Sequence, residues 1–111
     1  MGLVLLSLVA MAGCGPPIGS VGAVFGVRGD EPRVFVRDAP AGLGAAEAGL
    51  RPGDELLFVD GEDVRDLGAE GVRERLRGVV GTTVVLTVAR GDEIVRVRVT
   101  RKPFRRAGSP R

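Results

Sequence analysis

The sequence has no histidine, tryptophan or tyrosine, and cysteine occurs once, at Cys14. Without histidine there is no Ser-His-Asp triad, no Cys-His pair and no His-ligated zinc. A single cysteine excludes an intramolecular disulfide and any Cys-x-x-Cys site. Ser7, Ser20 and Ser109 are the only serines, and none has a nearby base to activate it. Gly22, Gly26 and Gly29 miss the dinucleotide spacing, and no phosphate loop is present. Asp60, Glu62, Asp63 and Asp66 cluster but lack the spacing of a calcium loop, so they read as a solvated acidic rim. Neither a metal nor a cofactor is expected, and the chain is not expected to be an enzyme.

What is there fits one compact unit with flanking segments. The chain has 111 residues, 44% apolar and 27% charged, enough to bury one core. Charge is unevenly placed. Residues 1–27 hold no acid or base, Asp30 to Glu74 holds twelve acids against five bases, and Arg75 to Arg111 holds ten bases against two acids. A basic half suggests nucleic acid or an anionic membrane. Aromatics for base stacking are nearly absent, so no nucleic-acid partner is expected, and residues 104–111 read as a disordered basic tail.

Leu3 to Ala12 is an apolar run of ten residues, about half the length needed to cross a bilayer, and Gly13-Cys14-Gly15-Pro16-Pro17 ends it. That is the build of a secretory signal segment over residues 1–13. Met11-Ala12-Gly13-Cys14 resembles the lipobox of bacterial lipoprotein signal peptides. The resemblance implies lipidation at Cys14, a tether over residues 14–20, and a membrane-anchored place in the bacterial cell envelope, facing periplasm or exterior.

Beyond the tether, short strand-like runs alternate with helical ones. Gly22 to Val27, Arg33 to Arg37, Glu55 to Val59, Thr83 to Val88 and Glu93 to Thr100 are rich in β-branched and apolar residues. Arg28 to Pro32 reads as a turn, and Asp60-Gly61 signals a tight hairpin. Gly44 to Ala48 reads as a helical turn closed by Gly49 in the left-handed conformation. Ala69 to Arg77 changes period: Ala69, Val72, Arg73 and Leu76 fall on one helix face. In the last strand, Val95, Val97 and Val99 are expected inward, with Arg96, Arg98 and Arg101 outward. The expected class is α+β, mainly β: an antiparallel barrel or sandwich of five to six strands capped by two helices, over residues 21–103.

Ala45-Ala46-Glu47-Ala48-Gly49-Leu50-Arg51-Pro52-Gly53-Asp54-Glu55-Leu56-Leu57-Phe58-Val59-Asp60-Gly61 resembles the central signature of PDZ domains of the bacterial type, as in carboxy-terminal processing and periplasmic serine proteases. Gly81 to Arg90 continues the likeness. The resemblance implies binding of an extended peptide or protein C-terminus as an added strand, its carboxylate held by backbone amides. Gly22-Ala23-Val24-Phe25 matches the family's carboxylate loop, with Val24 where a second glycine is common. Ala23, Phe25 and Val27 would face the groove from the strand, and Ala69, Val72, Arg73 and Leu76 from the helix. Arg73 either pairs with a ligand carboxylate or extends into solvent. Three readings stand at this stage: a lipid-anchored peptide adaptor, a scaffold whose groove is unused, and an accessory domain of a separate protease. Arg28-Gly29-Asp30 and Arg90-Gly91-Asp92 read as turn chemistry rather than adhesive motifs.

Overall fold

The computed structural model describes residues 17–27 and 33–103. Residues 1–13, Cys14, the Arg28 to Pro32 turn and residues 104–111 lie outside the described residues. The chain forms β1 (Ile18–Ser20), β2 (Val24–Val27), β3 (Val34–Asp38), α1 (Gly44–Ala48), β4 (Glu55–Val59), β5 (Glu62–Asp63), α2 (Val64–Leu76), β6 (Gly78–Val79), β7 (Thr83–Arg90), β8 (Glu93–Thr100) and β9 (Lys102–Pro103). The fold is mainly β with two helices, as expected.

The strands build two antiparallel sheets. The larger runs β2-β3-β4-β7-β8, with β5 paired to β4, and the smaller runs β6-β1-β9. Side-chain alternation sends Val84, Leu86 and Val88 of β7 into the core, opposite Val99, Val97 and Val95 of β8. Leu56 and Val59 of β4, Val34 and Val36 of β3, Val21, Ala45 and Leu50 complete that core with Val64, Val72 and Leu76 of α2. Burying a Val or Leu side chain is worth about 1.5–3 kcal/mol, so this cluster supplies most of the driving force.

Turn chemistry sets the connections. Asp60 and Gly61 both have positive φ, 49° and 83°, as a tight hairpin after β4 demands. Asp60 also ties β4 to β7: its N–H donates to Val85 O at 2.8 Å, and its Oδ1 accepts from the Val85 N–H at 2.8 Å. Gly49 closes α1 at φ 96°, its N–H donating to Ala46 O. After it, the buried carboxylate of Asp54 fixes the turn into β4. Asp54 accepts from Arg90 Nε at 2.9 Å, Arg90 Nη2 at 2.8 Å and the Arg51 N–H at 2.9 Å. Arg90 Nη2 also donates to Gly49 O at 2.9 Å. The second Arg-Gly-Asp triplet therefore has its arginine committed inside the fold.

Two expectations need correction. Ile18–Ser20, taken as tether, is a strand: Ile18 pairs with Val79, and Gly19 and Ser20 pair with Pro103 and Lys102. The larger sheet holds six strands, as expected; among the described residues β1, β6 and β9, too short to show alternation, add a second small sheet. Arg101, expected outward, is buried at 8% exposure. It shares the odd-numbered phase of Val95, Val97 and Val99. Its guanidinium donates to Leu76 O at 3.1 Å, Arg75 O at 2.9 Å, Thr82 Oγ1 at 2.9 Å and Thr83 O at 3.3 Å. A cation thus satisfies the otherwise orphaned carbonyls at the C-terminal end of α2.

Candidate functional site

β2 is an edge strand of the larger sheet. One side pairs antiparallel with β3, Phe25 opposite Val36 and Val27 opposite Val34, while no strand among the described residues pairs with the other side. Across from that open edge lies α2, and the two enclose a groove of about 310 Å³. α2 is two pieces in one. Asp63 caps its start by accepting the Arg65 N–H at 2.8 Å. Gly68, at φ 72° and ψ 172°, then breaks the helix, leaving a second segment that begins at Ala69. That segment is the helix the periodicity predicts, ending at Leu76 with Arg77 as an extended cap.

The groove gathers seven of the expected residues: Ala23, Phe25 and Val27 from the strand side, and Ala69, Val72, Arg73 and Leu76 from the helix. Val72 and Leu76 are buried at its floor, whereas Ala69 and Arg73 stand exposed on its rim. Ser20, Gly26, Val34 and Arg77 also line it. Ser20 and Arg77 lay outside the sequence reading because each belongs to a junction whose neighbours are distant in sequence. Gly22 and Val24 are elsewhere: they line a neighbouring hollow of about 200 Å³ with Leu43, Pro40, Lys102 and Pro103. Val24 is half exposed and does not line the groove.

The loop entering β2 carries unpaired backbone donors. Gly22 sits at φ 75°, and a Cβ there would meet Leu43 Cβ at 2.5 Å, so both conformation and space require glycine. The preceding carbonyl, Val21 O, accepts from the Ala45 N–H at 2.7 Å and pins the loop to α1. Among the described residues, the Gly22 and Ala23 N–H groups donate no backbone hydrogen bond. A register irregularity between Val24 and Phe25 turns the loop relative to β3.

Positive charge borders the groove. Arg73 extends into solvent and pairs with Glu70 one turn back, Nη1 to Oε2 at 3.2 Å, with both side chains mostly exposed. Such a pair is worth at most a few tenths of a kcal/mol, so a ligand carboxylate can compete for the guanidinium. The acidic rim is occupied with structural tasks. Glu62 binds Arg75, and Asp63 binds Arg65 at 2.7 Å, which holds the Asp63 carboxyl down at about 2.

The sequence profile of the PDZ domain matches residues 16–89. A carboxyl-terminal-processing protease of Picosynechococcus is 42% identical over 62 residues, 54% of this chain and 15% of that protein. A CtpA-like serine protease of Staphylococcus aureus is 32% identical over 82 residues, 74% of this chain and 16% of its own. The chain thus spans about a sixth of the length of these curated relatives. Among solved structures, the PDZ domain of a carboxy-terminal protease from Vibrio cholerae, described in complex with peptide, superimposes with a TM-score of 0.67. It is 27% identical, and the match covers 79% of this chain and 97% of that one. The photosystem II D1 C-terminal processing protease shares the fold, with a TM-score of 0.72 at 24% identity over 88% of this chain and 26% of its own. With the family profile spanning most of the chain and a groove set between β2 and α2, this protein belongs to the PDZ domain family.

Proposed function

We propose that the chain is a binding module that takes an extended peptide, ending in a free carboxylate, as an extra strand along β2. The observation that carries this reading is the open edge of β2 facing α2 across an apolar groove. Backbone hydrogen bonds along that edge supply affinity, and the floor formed by Phe25, Val72 and Leu76 selects apolar side chains. The amides of Ala23, Val24 and Phe25 are the carboxylate's partners, and Arg73 favours an acidic side chain near the peptide's end.

Titration of labelled peptides, followed by fluorescence anisotropy, tests the reading. Apolar C-terminal peptides bind saturably, and amidating their terminus weakens binding at least tenfold, the loss expected for one charge-assisted hydrogen-bonding partner. Arg73→Ala lowers affinity about fivefold for peptides with an acidic residue near the end and leaves others unchanged. Binding indifferent to amidation would count against carboxylate capture and favour the scaffold reading.

The chain's export and its attachment through a lipid on Cys14 belong to the same proposal, supported by the apolar run and lipobox-like residues before the fold. The bacterial processing proteases among its relatives support a place in the cell envelope. Mass spectrometry of the mature N-terminus decides it: a diacylglyceryl group on Cys14 is expected, and an intact Met1 overturns it. The same relatives favour a second role for the groove, presenting substrate termini to a processing protease.

A further inference from the structure

The small sheet closes one end of the groove. β1 and β6 run antiparallel, with Ile18 opposite Val79 and Gly19 opposite Gly78, so the next step of that register sets Ser20 against Arg77. Arg77 already has extended backbone, at φ −84° and ψ 151°, and opposite residues of such a pair carry their side chains on one face. Both residues line the groove, Ser20 from the last position of β1 and Arg77 from the end of α2. Three residues beyond Ser20 comes Ala23, which also lines the groove and whose N–H donates no backbone hydrogen bond. A hydroxyl, a guanidinium and an unpaired backbone donor are thus gathered at one end of an apolar trough. Arg73 and Arg77 carry the only charges among the described residues that line it, and both are positive.

We propose that Arg77, with the Ser20 hydroxyl, clasps the terminal carboxylate of the bound peptide, so that a side-chain cation joins the loop amides in setting the preference for free C-termini. The inference rests on the strand-addition reading and deepens it by naming side chains that read the terminus. A peptide added antiparallel to β2 runs against it and ends beside the start of β2, where Ser20, Ala23 and Arg77 lie. The planar guanidinium takes both carboxylate oxygens at once, and the hydroxyl and the Ala23 N–H donate to the lone pairs that remain. Arg77 is exposed and Ser20 half-buried, so both side chains are within reach of a ligand entering from solution. A second cation also stands opposite Ser20, Lys102 across β1 and β9, but its position is different. Lys102 pairs with Glu47, Nζ to Oε1 at 2.7 Å, and lines the neighbouring hollow rather than the groove.

A double-mutant cycle between the protein and the peptide terminus tests this. The full chain is titrated with a labelled peptide that ends in an apolar residue and holds no acidic side chain, and with its C-terminally amidated twin. Arg77→Ala weakens the free-carboxylate peptide about fivefold and leaves the amidated one within about twofold, so the penalty for amidation shrinks. Ser20→Ala shrinks the same penalty by about threefold. Lys102→Ala removes a cation from the other side of Ser20 and leaves the penalty unchanged. Neither Arg77 nor Ser20 belongs to the core, and urea unfolding checks that the variants fold. Ser20→Ala carries the test alone if Arg77→Ala does not fold. An amidation penalty of equal size in the folded variants, or one that falls as far in Lys102→Ala, overturns the proposal. Either result leaves strand addition with capture by amides standing, whereas a wild type indifferent to amidation removes that reading as well, so the two failures are distinguishable.

Discussion

Asp54 shows how one buried side chain makes folding depend on pH. Its carboxylate is 2% exposed and fully engaged by Arg90 and the Arg51 amide. The hydrogen bonds from Arg90 hold its carboxyl below the ordinary 3.8, outweighing the opposite push of burial. A carboxyl whose folded value lies below its unfolded one stabilises the fold above the unfolded value, and that contribution fades as pH falls through the folded one. Asp54→Asn removes the titrating group, and Asp63, also lowered, is common to both proteins and cancels in the difference. Urea unfolding at pH 7 and near pH 3 should therefore show the wild-type advantage over Asp54→Asn shrinking at the acid end. An advantage of equal size at both pH values would show that Asp54 does not supply the acid sensitivity. The Arg51-Pro52-Gly53-Asp54 turn was legible in the sequence, but the partner was not. Arg90 lies 36 residues away, and nothing local distinguishes it from a solvated arginine.

At the scale of elements, legibility follows length and locality. β7 and β8, with eight residues each, display several periods of alternation, and the helix from Ala69 shows its face through Val72 and Leu76. β1, β6 and β9 hold two or three residues, less than a readable period, and exist only because their partners arrive from across the chain. Arg101 belongs to the same class: it is buried because the end of α2 offers it carbonyls, which strand alternation alone does not reveal. Seven of the residues lining the groove were visible in this sense. The helix residues fell on one face, while the junction residues Ser20 and Arg77, and the diversion of Gly22 and Val24 into the adjoining hollow, depended on how the small sheet closes. The break in α2 gives a prediction against helix propensity. In a regular helix Gly→Ala stabilises by about 1 kcal/mol. Gly68, at φ 72° and ψ 172°, occupies backbone space essentially reserved for glycine, although a Cβ there would meet nothing within 4 Å. Gly68→Ala should destabilise by about 1–3 kcal/mol in a denaturant melt, and a gain in stability would show that α2 straightens without loss.

For the molecule as a whole, the larger sheet leaves β2 open at one edge among the described residues and folds α2 beside it, so the proposed recognition surface joins strand backbone to an apolar groove. Under the proposed reading a chain without histidine can have a defined site: strand addition needs amides and shape, and no side chain has to move a proton. The whole-molecule consequence lies instead in β1 and β9. Neighbouring antiparallel strands are about 5 Å apart, so a short linker from Pro103 back to Pro17 spans the gap without strain. A circular permutant so joined, and opened between Gly91 and Asp92 in the exposed β7–β8 turn, should unfold cooperatively and keep its peptide affinity. Loss of cooperative unfolding would mean that the small sheet needs both free ends. If the permutant folds, the same geometry makes the domain insertable: a host chain can leave one of its loops, run through the whole module and rejoin a few ångströms away, its own fold undisturbed.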